Sequence, residues 1–252
     1  FSYLMTSHCL TLEDVWSMSS KNANLKEKKI VYSEYAYFFS VLFLAISIAF
    51  MKAAGFGVSL SSAPAYVIYE KVSLTQQISY GTAEYTIQAF ILLFLFIVTG
   101  KFGKKHVFSF LTTLIFAATI DAITNVLELL PLEIVWVRVL LLALAIVIGP
   151  LGYALMDHTY ISPIVYILYE QEIAKASGRD RNLVYWTFNV ISGIFAIGLS
   201  FYFFGVGAFV GVNIATILYT LSKILLREPW EKFIEKHFKF RTKYWQLERH
   251  FK

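Results

Sequence analysis

Residues 58–72 read VSLSSAPAYVIYEKV and residues 159–174 read TYISPIVYILYEQEIA. Each stretch is too short and too polar for a membrane span, which takes roughly 20 predominantly apolar helical residues. Each carries a proline near its start, Pro64 and Pro163, and a Tyr-Glu pair near its end, Tyr69-Glu70 and Tyr169-Glu170. A polar link and an aromatic-rich helix start follow both, at Glu84-Tyr85 and at Tyr185-Trp186. Recurrence at a spacing of roughly 100 residues is the mark of a tandem repeat whose unit contains one broken helix.

Around these two segments lie six strongly apolar runs: Tyr37 to Phe56, Glu84 to Thr99, Val107 to Leu127, Ile134 to Leu155, Leu183 to Phe204 and Val206 to Leu226. With 58% hydrophobic and only 15% charged residues, a chain of this size has more apolar surface than a soluble core would hide. Helices follow, because lipid offers backbone groups no hydrogen-bond partners. The expected fold is an all-α polytopic membrane bundle: six spanning helices plus two short broken or re-entrant helices in a pseudo-symmetric, inverted repeat. Residues 31–130 form the first membrane repeat and 131–226 the second. Residues 1–30 are a polar amino-terminal extension, for which disorder is one reading and which lacks the pattern of a signal peptide. Residues 227–252 are a basic tail, with Trp230, Phe233, Ile234, His237, Phe238 and Arg241 at the spacing of an amphipathic helix lying on the inner leaflet.

Loop charge sets the expected orientation. The basic loop Lys101 to His106 and the basic tail belong inside, and the acidic link Glu128 to Glu133 outside. The first broken segment then re-enters from outside and the second from inside, and both termini are cytoplasmic. The net charge of +5 falls in loops and at the chain ends, where it suits anionic lipid and gives no nucleic-acid signal. Cys9 is the only cysteine, which leaves no intramolecular disulfide and no thiolate metal cluster.

Four motifs in chain order carry a family resemblance: Ala63-Pro64-Ala65-Tyr66, the run from Gly81 through Glu84 and Gln88 to Ala89, His158-Thr159-Tyr160-Ile161-Ser162-Pro163, and Phe204-Gly205-Val206-Gly207 with Gly211-Val212. Together, over roughly Tyr37 to Leu226, the chain resembles the YczE/YyaS/YitT group of bacterial membrane proteins. That resemblance implies a fold and a compartment, the bacterial cytoplasmic membrane, and does not imply a reaction.

Ionisable groups inside spans are costly, at about 2.5 to 3.5 kcal/mol for Asp, Lys or Arg at mid-helix, so each needs a reason. Asp121 and Arg138 flank the Glu128 to Glu133 hairpin at similar depth, and a structural ion pair between them is the plain expectation; a transport role would need Asp121 to change partner. Glu84 and Gln88 share one face of a helix, with Tyr185 and Asn189 as their counterparts in the second half. They either line a pathway or simply meet water at a helix start, where a carboxylate suits the helix dipole. Pro64 and Pro163 interrupt the backbone ladder, and Ser61, Ser62 and Ser162 beside them either satisfy freed groups or contact a ligand. Asp157 and His158 adjoin, but neighbours on a helix point about 100° apart, which favours capping by Asp157 over a proton relay. Gly207, Gly211 and Ala215 recur every four residues, a spacing for close helix packing. Tyr35, Tyr37, Trp136, Tyr185, Trp186 and Trp230 fit an interfacial aromatic belt.

No metal-binding His-Glu-x-x-His helix, phosphate loop or nucleophile elbow is found, so neither enzyme activity nor a cofactor or metal is expected. The function that fits best is a secondary transporter or permease-like protein for a small molecule or ion, its pathway lined by Ser61, Ser62, Tyr66, Glu84, Gln88, Asp121, His158, Ser162 and Asn189. The alternative is a non-transporting accessory or sensor protein that scaffolds a partner. Besides the lipid bilayer, self-association or a protein partner is compatible with either reading.

Overall fold

Gly55 ends the first long helix in the left-handed conformation, its N–H turned back to the carbonyls of Met51 and Lys52, a C-cap that glycine adopts without steric cost. The computed structural model describes residues 28–242. The amino-terminal extension up to residue 27 and the tail from residue 243 lie outside the described residues. Within them the chain forms eight helices: α1 (Ser33–Ala54), α2 (Ala63–Ser73), α3 (Tyr80–Thr99), α4 (Lys104–Leu127), α5 (Val135–Asp157), α6 (Val165–Ser177), α7 (Arg181–Phe204) and α8 (Ile214–His237). Two short strands, β1 (Lys29–Tyr32) and β2 (Phe238–Arg241), pair in parallel.

Five helices, α1, α3, α4, α5 and α7, are long and apolar enough to cross a membrane, and point to an integral membrane protein. The sixth expected span differs. Residues Gly205, Gly207 and Gly211 all have positive φ, so the glycine-rich run forms a turn and α8 begins only at Ile214. Gly207 and Gly211 therefore do not pack helices at a four-residue spacing, whereas Ala215 does lie buried in the first turn of α8. The physical reason is glycine's freedom at positive φ combined with its poor helix propensity. From there α8 continues through Lys223, Arg227, Glu228 and Pro229 to His237, too charged to count with the apolar five.

The tail also departs from expectation. Residues 227–237 extend α8, and Phe238 to Arg241 is a strand, because Phe-Lys-Phe-Arg alternates with the period of two that a strand needs. It pairs with β1 in the register Lys29↔Phe238 to Tyr32↔Arg241, so the segment before α1 is tied to the segment after α8.

Helix α1 packs most extensively on α5, and the two run antiparallel. The Ser33 hydroxyl donates to the His158 carbonyl near one end, and Ser47 donates to Ala145 farther along. Gly152 lets Leu44 and Ser40 of α1 approach closely. Helix α4 lies beside α1 and α8 beside α5, while α2 contacts α3 and α7, and α6 contacts the same two helices. Both short helices start in the core and end at the surface. Ala63, Ala65, Val67 and Val165 through Leu168 are buried, and Leu74 and Ser177 are exposed.

Candidate functional site

The starts of the two short helices are brought together around one carboxylate. Glu84 is fully buried on α3 and accepts hydrogen bonds from Tyr80, one turn earlier (2.9 Å), and from Tyr166 at the start of α6 (2.9 Å). The hydroxyl of Ser62, which precedes α2, faces the same carboxyl. A buried charge is tolerated only when hydrogen-bonded on this scale. The arrangement rules out the surface-helix-start reading of Glu84.

Beside this group lies a small cavity of about 10 Å³, room for one small occupant. Ser59, Ser61 and Ser62 from the α2 side and Ile164 and Tyr166 from the α6 side line it, with Tyr153, Tyr219 and Lys223 opposite. Lys223 is 4% exposed. Its ammonium donates to the Tyr153 hydroxyl at 3.0 Å and lies 4.3 Å from the Tyr153 ring centre and 5.1 Å from that of Tyr219, a cation–π setting that offsets part of the burial cost. Ser61 also borders a second space, an apolar crevice of about 530 Å³ between α3 and α7, walled by Phe90, Phe94, Phe188 and Phe195.

The remaining expected residues divide. Gln88 and Asn189 are buried on α3 and α7, each with one amide atom lacking a partner, Nε2 and Oδ1 respectively. Thr113 donates to Gln88 Oε1 (3.2 Å) and accepts from the Val165 N–H (3.1 Å), which closes the first turn of α6. Pro64 stands in the first turn of α2, and Tyr66 packs edge-on against Tyr80 at 5.8 Å. The Ser162 and Pro163 carbonyls are held by Thr112 (2.9 Å) and Ser109 (2.5 Å) of α4. Ser162 and His158 line a different, polar pocket of about 430 Å³ at the end of the bundle where β1 and β2 meet, so they do not join the central site.

Two expectations are overturned. Asp121 and Arg138 do not pair. The Asp121 carboxylate accepts from the Ser79 hydroxyl (2.6 Å) and the Gly81 N–H (2.7 Å) at the amino end of α3. Arg138 donates to the Ala54 carbonyl at the carboxy end of α1 (2.6 Å), with its guanidinium over Phe56. Each charge has taken the helix end of opposite partial charge in place of the other. Asp121 thereby serves the amino end of α3 and is not among the groups bonded to Glu84. Nor does Asp157 serve as a cap or relay: its carboxylate binds Arg181 of α7 (2.8 Å) and Arg227 of α8, joining three helices, while the His158 ring stacks on Phe240 at 4.8 Å.

Tyr35 and Trp136 are exposed as a belt requires, but Tyr185 is buried and donates to the Thr220 carbonyl (3.2 Å). Sequence reasoning missed Lys223, Tyr153, Tyr166, Tyr219 and Glu170. The available signal was Lys223 itself, an ionisable group inside the run Val206 to Leu226. Glu170 is buried near Arg181, whose Nε lies 3.8 Å from it. Among the described residues no three His, Cys, Asp or Glu side chains converge as a metal site would require.

Residues 31–222 match the model of a family of unknown function, DUF6198, and the chain belongs to that family. Neither the curated proteins nor the solved structures give a match.

Proposed function

We propose that this protein is a secondary transporter of a small molecule or ion, working in the bacterial cytoplasmic membrane with both termini inside, and related to the YczE/YyaS/YitT group. The observation that carries the reading is the meeting of the α2 and α6 starts at a small cavity that Ser59, Ser61, Ser62, Tyr166 and Lys223 help to line, with Glu84 bonded to Tyr166 behind that wall. Broken helices whose amino ends converge at a buried polar site are how membrane carriers hold polar cargo. A scaffold has no use for ionisable side chains such as Glu84, Glu170 and Lys223 buried inside its bundle, which weighs against the accessory reading.

On this reading α1, α3, α4, α5, α7 and α8 cross the membrane and α2 and α6 re-enter from opposite sides. Support comes from the contact pattern: exchanging α1–α4 for α5–α8 carries the α1–α4 contact onto α5–α8, and α2–α7 onto α6–α3. The helix pairs starting at Ser33 and Val135, Ala63 and Val165, and Tyr80 and Arg181 are each roughly 100 residues apart. Catalysis has no place in this reading.

The test is uptake by proteoliposomes under an imposed pH gradient, over a panel of metabolites and ions. Uptake above protein-free vesicles that falls at least tenfold in Glu84→Gln and survives in Asp121→Asn is the expected result. Uptake of nothing by well-folded protein under either gradient polarity, or uptake indifferent to Glu84, would refute the reading.

A further inference from the structure

The geometry points to a small monovalent inorganic anion, of halide size, bound in the central cavity between Lys223, Tyr153 and Ser61. This rests on the transport reading and names the class of its cargo. Consider which protons around the cavity are already committed. Tyr80 and Tyr166 donate to Glu84. Ser47 donates to the Ala145 carbonyl, so Tyr219, 2.8 Å away, donates to Ser47. Tyr153 accepts from Lys223, which leaves its own proton free to point into the cavity.

Ser59 and Ser61 lie 3.1 Å apart and Ser59 also accepts from the Ser62 N–H, so one of the two hydroxyl protons stays available. Lys223 has three donors, one of them used. Among the described residues no carboxylate forms an ion pair with it; Glu170 and Glu84 act on it only through space. The groups left over are therefore donors, and the α2 helix adds the positive end of its dipole. A cation finds no free acceptor comparable to these, and the space suits a single monatomic ion and not a polyatomic solute.

Lys223 and Tyr153 also line a second small cavity with Asn182, Tyr185 and Arg227. The ammonium thus stands between the central cavity and the bundle end that carries Arg227 and Arg181. Asp157 and Glu231 neutralise part of that charge at the mouth through direct ion pairs, whereas among the described residues Lys223 has only the through-space influence of Glu170 and Glu84.

The experiment titrates the purified full chain in detergent with sodium bromide, ionic strength held constant with sodium gluconate, and follows thermal unfolding. A ligand that binds only the folded state raises the transition saturably. A saturable rise is expected, absent in Lys223→Met and weakened at least tenfold in apparent affinity in Tyr153→Phe, which keeps the ring against Lys223. A rise that does not saturate, or is equal in both variants, is a general salt effect and overturns the assignment, as does no rise. If Lys223→Met does not fold, Tyr153→Phe and a bromide anomalous peak next to Lys223 Nζ in wild-type crystals decide. Saturable binding without flux in proteoliposomes upholds the anion site and removes the transport reading; Glu84-dependent flux of another solute without bromide binding does the opposite.

Discussion

Replacing Gly81 by alanine tests the contact between α3 and α4 on which the site's placement depends. In a helix interior this change ordinarily stabilises by about 0.5–1 kcal/mol, because alanine loses less backbone entropy. At Gly81 a Cβ would run into the Ala117 carbonyl oxygen and sit 2.5 Å from Asp121 Oδ2, both well inside van der Waals contact. Relieving such an overlap in a packed interior costs about 1–3 kcal/mol. Displacing Asp121 also weakens its bonds to Ser79 and Gly81, a capping arrangement that contributes about 0.5–2 kcal/mol. The net expectation is destabilisation by about 1–3 kcal/mol.

Gly198, in the interior of α7, is the control, since nothing lies within 4 Å of a Cβ there. Gly198→Ala should be neutral or stabilise slightly. Thermal unfolding of the two variants in one detergent therefore gives opposite signs. Adding Asp121→Ala to Gly81→Ala should not restore wild-type stability, because the Ala117 carbonyl is backbone and cannot be cut away. If Gly81→Ala unfolds at or above the wild-type temperature, α3 does not approach α4 as described, and Glu84, carried on the same helix, is misplaced with it.

Asp121→Asn and Arg138→Gln should act additively, each costing about 1 kcal/mol through its own helix end; a coupling near that of a buried ion pair in a double-mutant cycle would restore the pairing that the structure lacks. Asp157→Leu leaves Arg181 and Arg227 without a common partner and should cost about 2–3 kcal/mol in chemical unfolding, below the value for a fully buried pair because the side chains keep 17–25% exposure; a change within error would mean the three helices do not depend on it. Glu84→Leu strands the Tyr80 and Tyr166 hydroxyls, at about 1–3 kcal/mol each, and should unfold well below Glu84→Gln, which can still accept; equal stability of the two would place the carboxylate in water. Deleting the chain after His237 removes β2 and should speed amide exchange at Lys29 to Tyr32 while barely shifting the unfolding of the bundle; unchanged exchange would mean the strands are not paired.

What could be read from the sequence was governed by period and punctuation. Pro64 and Pro163 marked both short helices, and the apolar runs located α1, α3, α4, α5 and α7 to within a few residues, since lipid-facing helices obey composition directly. Gly205 to Gly211 was misread because hydropathy is blind to backbone conformation: Val206, Phe209 and Val210 are apolar enough for a span, yet the glycines between them adopt positive φ. Asp121 and Arg138 were misassigned for another reason. Depth along two neighbouring helices says that charges can meet, not which way each side chain turns, and the free backbone groups at Gly81 and Ala54 were nearer partners. Glu84 was found because it is a carboxylate in an apolar helix; Tyr153, Tyr166 and Tyr219 were not, because a tyrosine among apolar helical residues reads equally well as packing.

Counted from their helix starts, Thr113 in α4 and Lys223 in α8 stand at the same position, and they do different things at the two short-helix starts. Thr113 accepts the Val165 N–H and has the Gln88 Oε1 and the Ser109 carbonyl as alternative acceptors for its one proton, while Ser109 and Thr112 take up the Pro163 and Ser162 carbonyls. The first turn of α6 is thereby tied to short hydroxyl side chains of α4, which leave its leading backbone groups partnered. At the α2 start no side chain caps the helix, and the corresponding position supplies a long ammonium that reaches Tyr153 and leaves a cavity in front of Ser59, Ser61 and Ser62. Similar backbones thus give one sealed helix end and one that keeps hydrogen-bond donors in reserve. Lys223→Thr should carry the sealed character across: the cavity would lose its cation, and with it bromide stabilisation, while the bundle stayed folded because a buried charge had been removed without orphaning a paired one. Retention of saturable bromide binding in that variant would place the ligand elsewhere.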